Sequence, residues 1–170
     1  MTPEYAQTVA AWLAKAHSDL AAARLLIQGT EPHFDSGVYH CQQAAEKALK
    51  GWLTSRQVEF RKTHDLTELL SQCIDIHHSF SVLEESARFL VPFASQFRYP
   101  GDLFEPPVEE ATRALADASS IEKKGSVRHL DIFKENAFHH EGHEGHEEVA
   151  IRLIAHRGTE GDDAKLKAES

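Results

Sequence analysis

The sequence predicts an all-α fold, an up-and-down antiparallel bundle of about five helices. Three observations carry this expectation. Five stretches place apolar residues at alternating spacings of three and four, the signature of a helix with one buried face. Glycine, proline and polar clusters separate those stretches into short connections. No stretch alternates apolar and polar residues as a half-buried strand would. Helices with one apolar face must bury it against one another, and short connections between them favour antiparallel neighbours.

The first helix begins where Pro3 can occupy a first turn behind a Thr2 cap, and Ala10, Leu13, Ala14, His17, Leu20, Ala21 and Leu25 recur at helical spacing up to Gly29. Gly29, Thr30 and Pro32 break it. The second helix organises the chain. Asp35 or Ser36 caps it, and Val38, Cys41, Ala45, Ala48 and Trp52 form its apolar stripe as far as about Ser55. Gln42, Glu46 and Lys50 are expected on the opposite, polar side. Gly51 costs ~1 kcal/mol relative to alanine inside a helix, so close packing of another helix is expected there.

After the polar, basic connection Arg56–Lys62, Thr63 or Asp65 starts the third helix, and Asp65 with Glu68 would make a capping-box-like pair. Its stripe is Leu66, Leu69, Leu70, Cys73 and Ile76 or His77. A fourth segment, Leu83 to Phe97, carries Leu83, Ala87, Leu90, Val91 and Ala94, and Pro92 should kink or split it by removing a backbone donor. The turn FRYPGDLFEPP, Phe97 to Pro107, leads into a fifth helix in which Pro107 suits the first turn and Val108, Ala111, Leu115, Ala118 and Ile121 continue the stripe. Past Ile121 the composition changes. Lys123, Lys124, Gly125 and Ser126 read as a boundary, giving a bundle over residues 1–122 and a low-complexity, His/Glu-rich tail over 123–170 that is expected to be largely disordered, apart from the short apolar run Val149–Ala155.

At 170 residues with 41% hydrophobic content, the chain is long enough for one compact core and extra sequence. A net charge of -9 repels a nucleic-acid backbone, so a general nucleic-acid coat protein is disfavoured and any polynucleotide contact needs a local basic cluster. The N-terminus lacks the order of a secretory signal, and no stretch approaches the roughly 20 apolar residues that span a bilayer. A cytoplasmic protein without membrane contact is expected. Cys41 and Cys73 both fall within apolar stripes, where reduced core thiols are the ordinary state in that compartment.

Two side-chain groups have the makings of a site. On the second helix His40, Gln43, Lys47 and Lys50 form a row of donors and cations, which His64 at the start of the third helix and Arg98 with Tyr99 in the FRYP turn could join. Fixed cations, an arginine fork and an aromatic face are what phosphate and base recognition require. Against this, cations late in a helix also stabilise its dipole, and Glu46 with Lys50 is an ordinary i,i+4 pair. The second group, His139, His140, His143 and His146 with interleaved glutamates, could share zinc or nickel if helical, but its repeated glycines disfavour that helix, so no metal or cofactor is expected. There is no G-x-S-x-G, no Gly-rich phosphate loop and no H-E-x-x-H.

Three motifs in order, YHCQQAAEKALKGWL from Tyr39, THDLTELL from Thr63 and FRYPGD from Phe97, resemble the HEPN domain family of prokaryotic helical domains, over about Thr2 to Ile121. The resemblance implies a helical bundle that pairs as a homodimer, and a partnership with a minimal nucleotidyltransferase in a toxin–antitoxin-like pair or as a nucleotide-binding accessory. It also implies an alternative, because a branch of the family cleaves RNA without a metal through an Arg-x4–6-His motif. Here Arg56 lies too far before His64, Arg61 lies too near it, and Arg152 lies too near His156. A nucleotide- or partner-binding module is therefore the first expectation. The alternative is a divergent metal-independent endoribonuclease using His64 with Arg98 or Arg61. The aromatic residues Trp12, Phe89, Phe93, Phe97 and Phe104 either form the dimer interface or fill the monomer core around Pro92.

Overall fold

The computed structural model describes residues 3–60, 62–96 and 105–137, with side chains as far as Ser126. Among the described residues five α-helices follow one another: α1, Pro3–Gln28; α2, Phe34–Ser55; α3, Leu66–Ile76; α4, Glu84–Leu90; and α5, Val108–Ala137. Two short 3-10 helices, His78–Leu83 and Val91–Ala94, flank α4. The second of these begins where Pro92 was expected to split the fourth segment, because the missing N–H and the ring both oppose a further α-turn. The bundle lies within the compact unit Met1–Ile132. Of the second unit, Phe133–Ser170, the described part is the end of α5.

Helix α2 is the central element. All five residues of its expected stripe, Val38, Cys41, Ala45, Ala48 and Trp52, are completely buried. Ala44, Leu49 and Leu53 are buried as well, so the helix is enclosed on most of its circumference. Burial pushes the Cys41 and Cys73 thiols up to about 12, which keeps both protonated at neutral pH. Gly51 sits where α1 approaches: a Cβ there would lie 3.0 Å from Leu13 Cδ2 and 3.1 Å from Trp12 Cβ.

Several expectations are corrected. Helix α1 buries Val9, Ala16, Leu20, Ala23 and Ile27, whereas Ala10, Ala14, His17, Ala21 and Leu25 face solvent. The helix is alanine-rich on two sides, and α2 covers the side that also carries Asp19. Helix α2 starts at Phe34 behind His33, one to two residues before the expected cap, and Asp35 lies inside its first turn. Asp65 does cap α3, accepting from Thr67 N at 2.8 Å and Glu68 N at 3.4 Å, but its own N–H donates to Thr63 Oγ1 rather than closing a box with Glu68. Ile76 and Val108 are exposed at the ends of their helices.

The expected boundary at Lys123–Ser126 lies inside α5. Gly125 explains the continuation, since it lets α5 settle directly on α2: a Cβ at this position would stand 2.9 Å from the Ala48 carbonyl oxygen. Three of the aromatics considered for an interface are used within the bundle. Phe93 is buried and meets Phe89 edge to face at 5.4 Å, Arg113 stacks on Phe89 at 4.1 Å, and Trp12 packs against Phe60 at 6.3 Å. Phe97 and Phe104 lie outside the described residues.

Candidate functional site

The residues expected to line the polar side of α2 are its buried polar spine. Gln42 is wholly buried, Glu46 is 4% exposed and Lys50 is 7% exposed. Their spacing of four keeps them on one line of the helix. The Glu46 carboxylate accepts from Lys50 Nζ at 2.8 Å and from Gln42 Nε2 at 3.2 Å. It also faces His64 Nδ1, 3.2 Å from each carboxylate oxygen. Burial alone would raise the Glu46 carboxyl, but the Lys50 ammonium, with help from Gln42 and His64, outweighs it and holds the group below the usual carboxylate range.

His64 occupies the connection just before α3. Gln42 Nε2 donates to its backbone oxygen at 3.0 Å, which ties that connection to α2. Its side chain is 77% exposed although the carboxylate it faces is nearly dry. With Nδ1 turned to Glu46, the Nε2 edge of the ring is the one offered outward.

A second carboxylate, Asp19 of α1, organises the other half of the expected row. His40 Nδ1 lies 3.0 Å from Asp19 Oδ1, and Lys47 Nζ donates to Asp19 Oδ2 at 2.6 Å. Lys47 also donates to Gln43 Oε1 at 2.9 Å, and Gln43 Nε2 donates to Gln42 Oε1 at 2.7 Å. The result is a continuous polar chain from Asp19 through Lys47, Gln43, Gln42 and Glu46 to Lys50 and His64. It brings together five of the expected site residues: His40, Gln43, Lys47, Lys50 and His64.

Both lysines are thus matched by carboxylates. Lys50 also lies 5.7 Å from the Trp12 ring centre and 5.9 Å from that of Phe60, so its charge is held by aromatic faces as well. The row is not an array of free cations awaiting an anion. Arg98, Tyr99, Arg61 and the tail histidines His139, His140, His143 and His146 lie outside the described residues.

Sequence reasoning missed Asp19 and gave Glu46 only a structural role. Glu46 carried a signal, because it stands four residues from both Gln42 and Lys50. Asp19 carried none, since an acid beside Leu20 on an amphipathic helix is ordinarily solvated.

Fold and band together define a small all-helical domain built around one enclosed helix that bears an internal acid–base chain. The HEPN domain model matches residues 9–128, and the chain belongs to the HEPN domain family. In the crystal structure of an archaeal HEPN homologue, the fold is similar at a TM-score of 0.57 and 25% sequence identity, over 71% of this chain and 97% of that one. Among curated proteins none matches the chain. No helix among the described residues is long and apolar enough to cross a membrane.

Proposed function

We propose that this HEPN domain is a binding module that presents His64 to the phosphate of a nucleotide or short RNA. A buried carboxylate fixing a solvent-facing imidazole is the observation that carries this reading. Holding Glu46 dry is costly, and the Lys50 and His64 contacts offset that cost only in this geometry. What the arrangement gains is a histidine held at a set position at the end of the polar band. The net charge of -9 disfavours a long polyanion and is compatible with a small anionic ligand.

The module acts as a homodimer beside a minimal nucleotidyltransferase. Family membership supports the nucleotidyltransferase partnership. The uncovered face of α1, where Ala10, Ala14, Ala21 and the 76%-exposed Leu25 stand in line, supports a second copy as neighbour.

One observation favours a second reading, the metal-independent endoribonuclease. A carboxylate on Nδ1 with Nε2 facing outward is the arrangement in which a histidine works as a general base. Here it would take the proton from an RNA 2′-hydroxyl.

A single experiment addresses both. Purified protein is incubated with labelled RNA in excess chelator, with retention and cleavage recorded for the wild type and for His64→Ala. Retention of intact RNA that weakens about tenfold or more in His64→Ala, the loss expected for a charge-assisted contact, supports the binding module. Cleavage abolished in the variant establishes the enzyme instead. Equal binding by both proteins, without cleavage, removes His64 from the site.

A further inference from the structure

Opposite the polar band, at the C-terminal end of α2, the structure leaves two buried donors without an acceptor. Trp52 Nε1 and Arg56 Nε are both shielded from solvent, and neither has a hydrogen-bond partner. Buried N–H groups are nearly always satisfied, so two unsatisfied ones on neighbouring side chains call for an explanation. The two side chains are in contact: the Arg56 guanidinium carbon lies over the Trp52 ring, 5.3 Å from its centre.

The surroundings are cationic. Trp52 packs on Phe80 with ring centres 4.5 Å apart, and Lys124 Nζ of α5 stands 5.8 Å from the Phe80 centre. None of the ion pairs among the described residues involves Arg56 or Lys124. In a chain of net charge -9 two half-buried cations left unneutralised are unusual.

Backbone geometry fixes the arginine. Val58 N–H donates to Leu53 O at 3.1 Å and Gln57 N–H to Thr54 O at 2.8 Å, the paired bonds of a Schellman turn. Gln57 takes the left-handed conformation, with φ of 58°, that this turn requires. Non-glycine residues adopt that conformation only rarely. The turn nevertheless closes and sets Arg56 over the indole.

We propose that Arg56, Trp52 and Lys124 form an oxyanion site that receives a phosphate group, from inorganic phosphate or from a nucleoside monophosphate. The missing partners are all acceptors. An arginine fork, an ammonium and an indole N–H supply more donors than the two oxygens of a carboxylate can use, and they suit the several oxygens of a phosphate. No base stacks here, because the rings are already engaged by each other and by the two cations. Arg56 is half-buried, so it is the member of the pair that reaches solvent, while Trp52 is wholly buried. This site is separate from the His64 band: Trp52 follows Lys50 by two residues, which turns it about 200° around the helix.

The test follows the Trp52 indole N–H of the ¹⁵N-labelled full-length protein by NMR, assigned with a Trp12→Phe variant. Inorganic phosphate, adenosine monophosphate and sodium chloride are titrated in turn at matched ionic strength. The expected result is a saturable displacement of the Trp52 indole signal by a phosphate-bearing ligand but not by chloride, with affinity weakened about tenfold or more in Arg56→Gln and in Lys124→Gln. Response to both phosphate compounds assigns the site to the phosphate group, and response to the nucleotide alone assigns it to the monophosphate. Arg24→Gln, which removes an exposed cation of α1, should shift the Trp52 signal as the wild type does, and because the Trp52 indole reads this site alone, the inference stands or falls independently of the His64 reading. An unmoved Trp52 signal, an equal response to chloride, or an affinity weakened as much in Arg24→Gln as in Arg56→Gln overturns the proposal. The wild-type titration decides even if a variant does not fold.

Discussion

At the scale of single residues, the Glu46–Lys50 pair illustrates how a buried ion pair constrains everything around it. Removing one member leaves the other charge dry and unpaired, a loss of about 3–5 kcal/mol in comparable sites. Glu46→Gln keeps the shape of the side chain, so the loss it causes reads the charge alone. Urea unfolding at pH 7 should show destabilisation of this order, with helicity retained in the surviving native state. The pH dependence follows from the direction of the shift. The Glu46 carboxyl is held below its ordinary value of 4.5, so the unfolded chain binds the proton more readily than the native one. Its contribution is fully present above that ordinary value and is lost as pH falls through the lowered native value. Asp65, held low chiefly by Thr67, adds to the same acid limb. Stability measured from pH 7 down to pH 3 should therefore fall less steeply in Glu46→Gln than in the wild type. Parallel slopes would mean that the carboxylate is not the ionised partner of Lys50. The line Gln42, Glu46, Lys50 was legible in the sequence as a line, but its burial was not. Polar residues at i,i+4 are solvated by default, and only the enclosure of α2 by its neighbours reverses that.

At the scale of elements, two glycines report how closely helices approach α2, and they should respond differently to the same substitution. At Gly51 the new methyl would meet the flexible end of Leu13 and the Cβ of Trp12 at 3.0 and 3.1 Å. A small side-chain shift can absorb this, and the helical propensity gain of ~1 kcal/mol offsets it, so Gly51→Ala should be close to neutral. At Gly125 the methyl would meet the backbone of Ala48, oxygen at 2.9 Å and carbon at 3.2 Å. A main chain held in its own helix cannot yield in this way. Gly125→Ala should destabilise by about 1–3 kcal/mol despite its better propensity, as overpacking does. Denaturant midpoints of the two variants provide the comparison, and a Gly125→Ala protein more stable than wild type would mean that α5 is not seated on Ala48. Element positions were well marked in the sequence where the apolar contrast was high, as in α2 and α3. The rotation of α1 was not, because alanines occupy both of its candidate faces and the volume difference that would distinguish them is small. Leu25 stood on the wrong line for that reason and is exposed.

At the scale of the whole molecule, the sequence marks a change of composition after Ile121, while the helix itself runs on to Ala137. The two observations concern different things. Composition follows the apolar stripe, which ends when the core ends, whereas a helix continues as long as nothing breaks it, and Lys123, Lys124 and Ser126 are all tolerated. The extra turn is structural as well as continuous: Gly125 rests on Ala48, Lys124 stands over the Phe80 ring, and Ser126 Oγ donates to Glu122 at 3.2 Å. A chain ending at Glu122 would lose all three and place a frayed terminus beside the fully buried Ile121. The cation–aromatic contact contributes about 0.5–1 kcal/mol, and fraying of the last turn brings the total to roughly 1–2 kcal/mol. For a domain of this size that corresponds to a melting temperature lower by about 5–10 °C. A chain ending at Ile132, the limit of the first compact unit, retains these contacts and should melt within about 2 °C of the full-length protein. Thermal melts of the three chains by circular dichroism locate the end of the folding unit. Equal melting temperatures would place it at Glu122 and make the last turns of α5 an appendage.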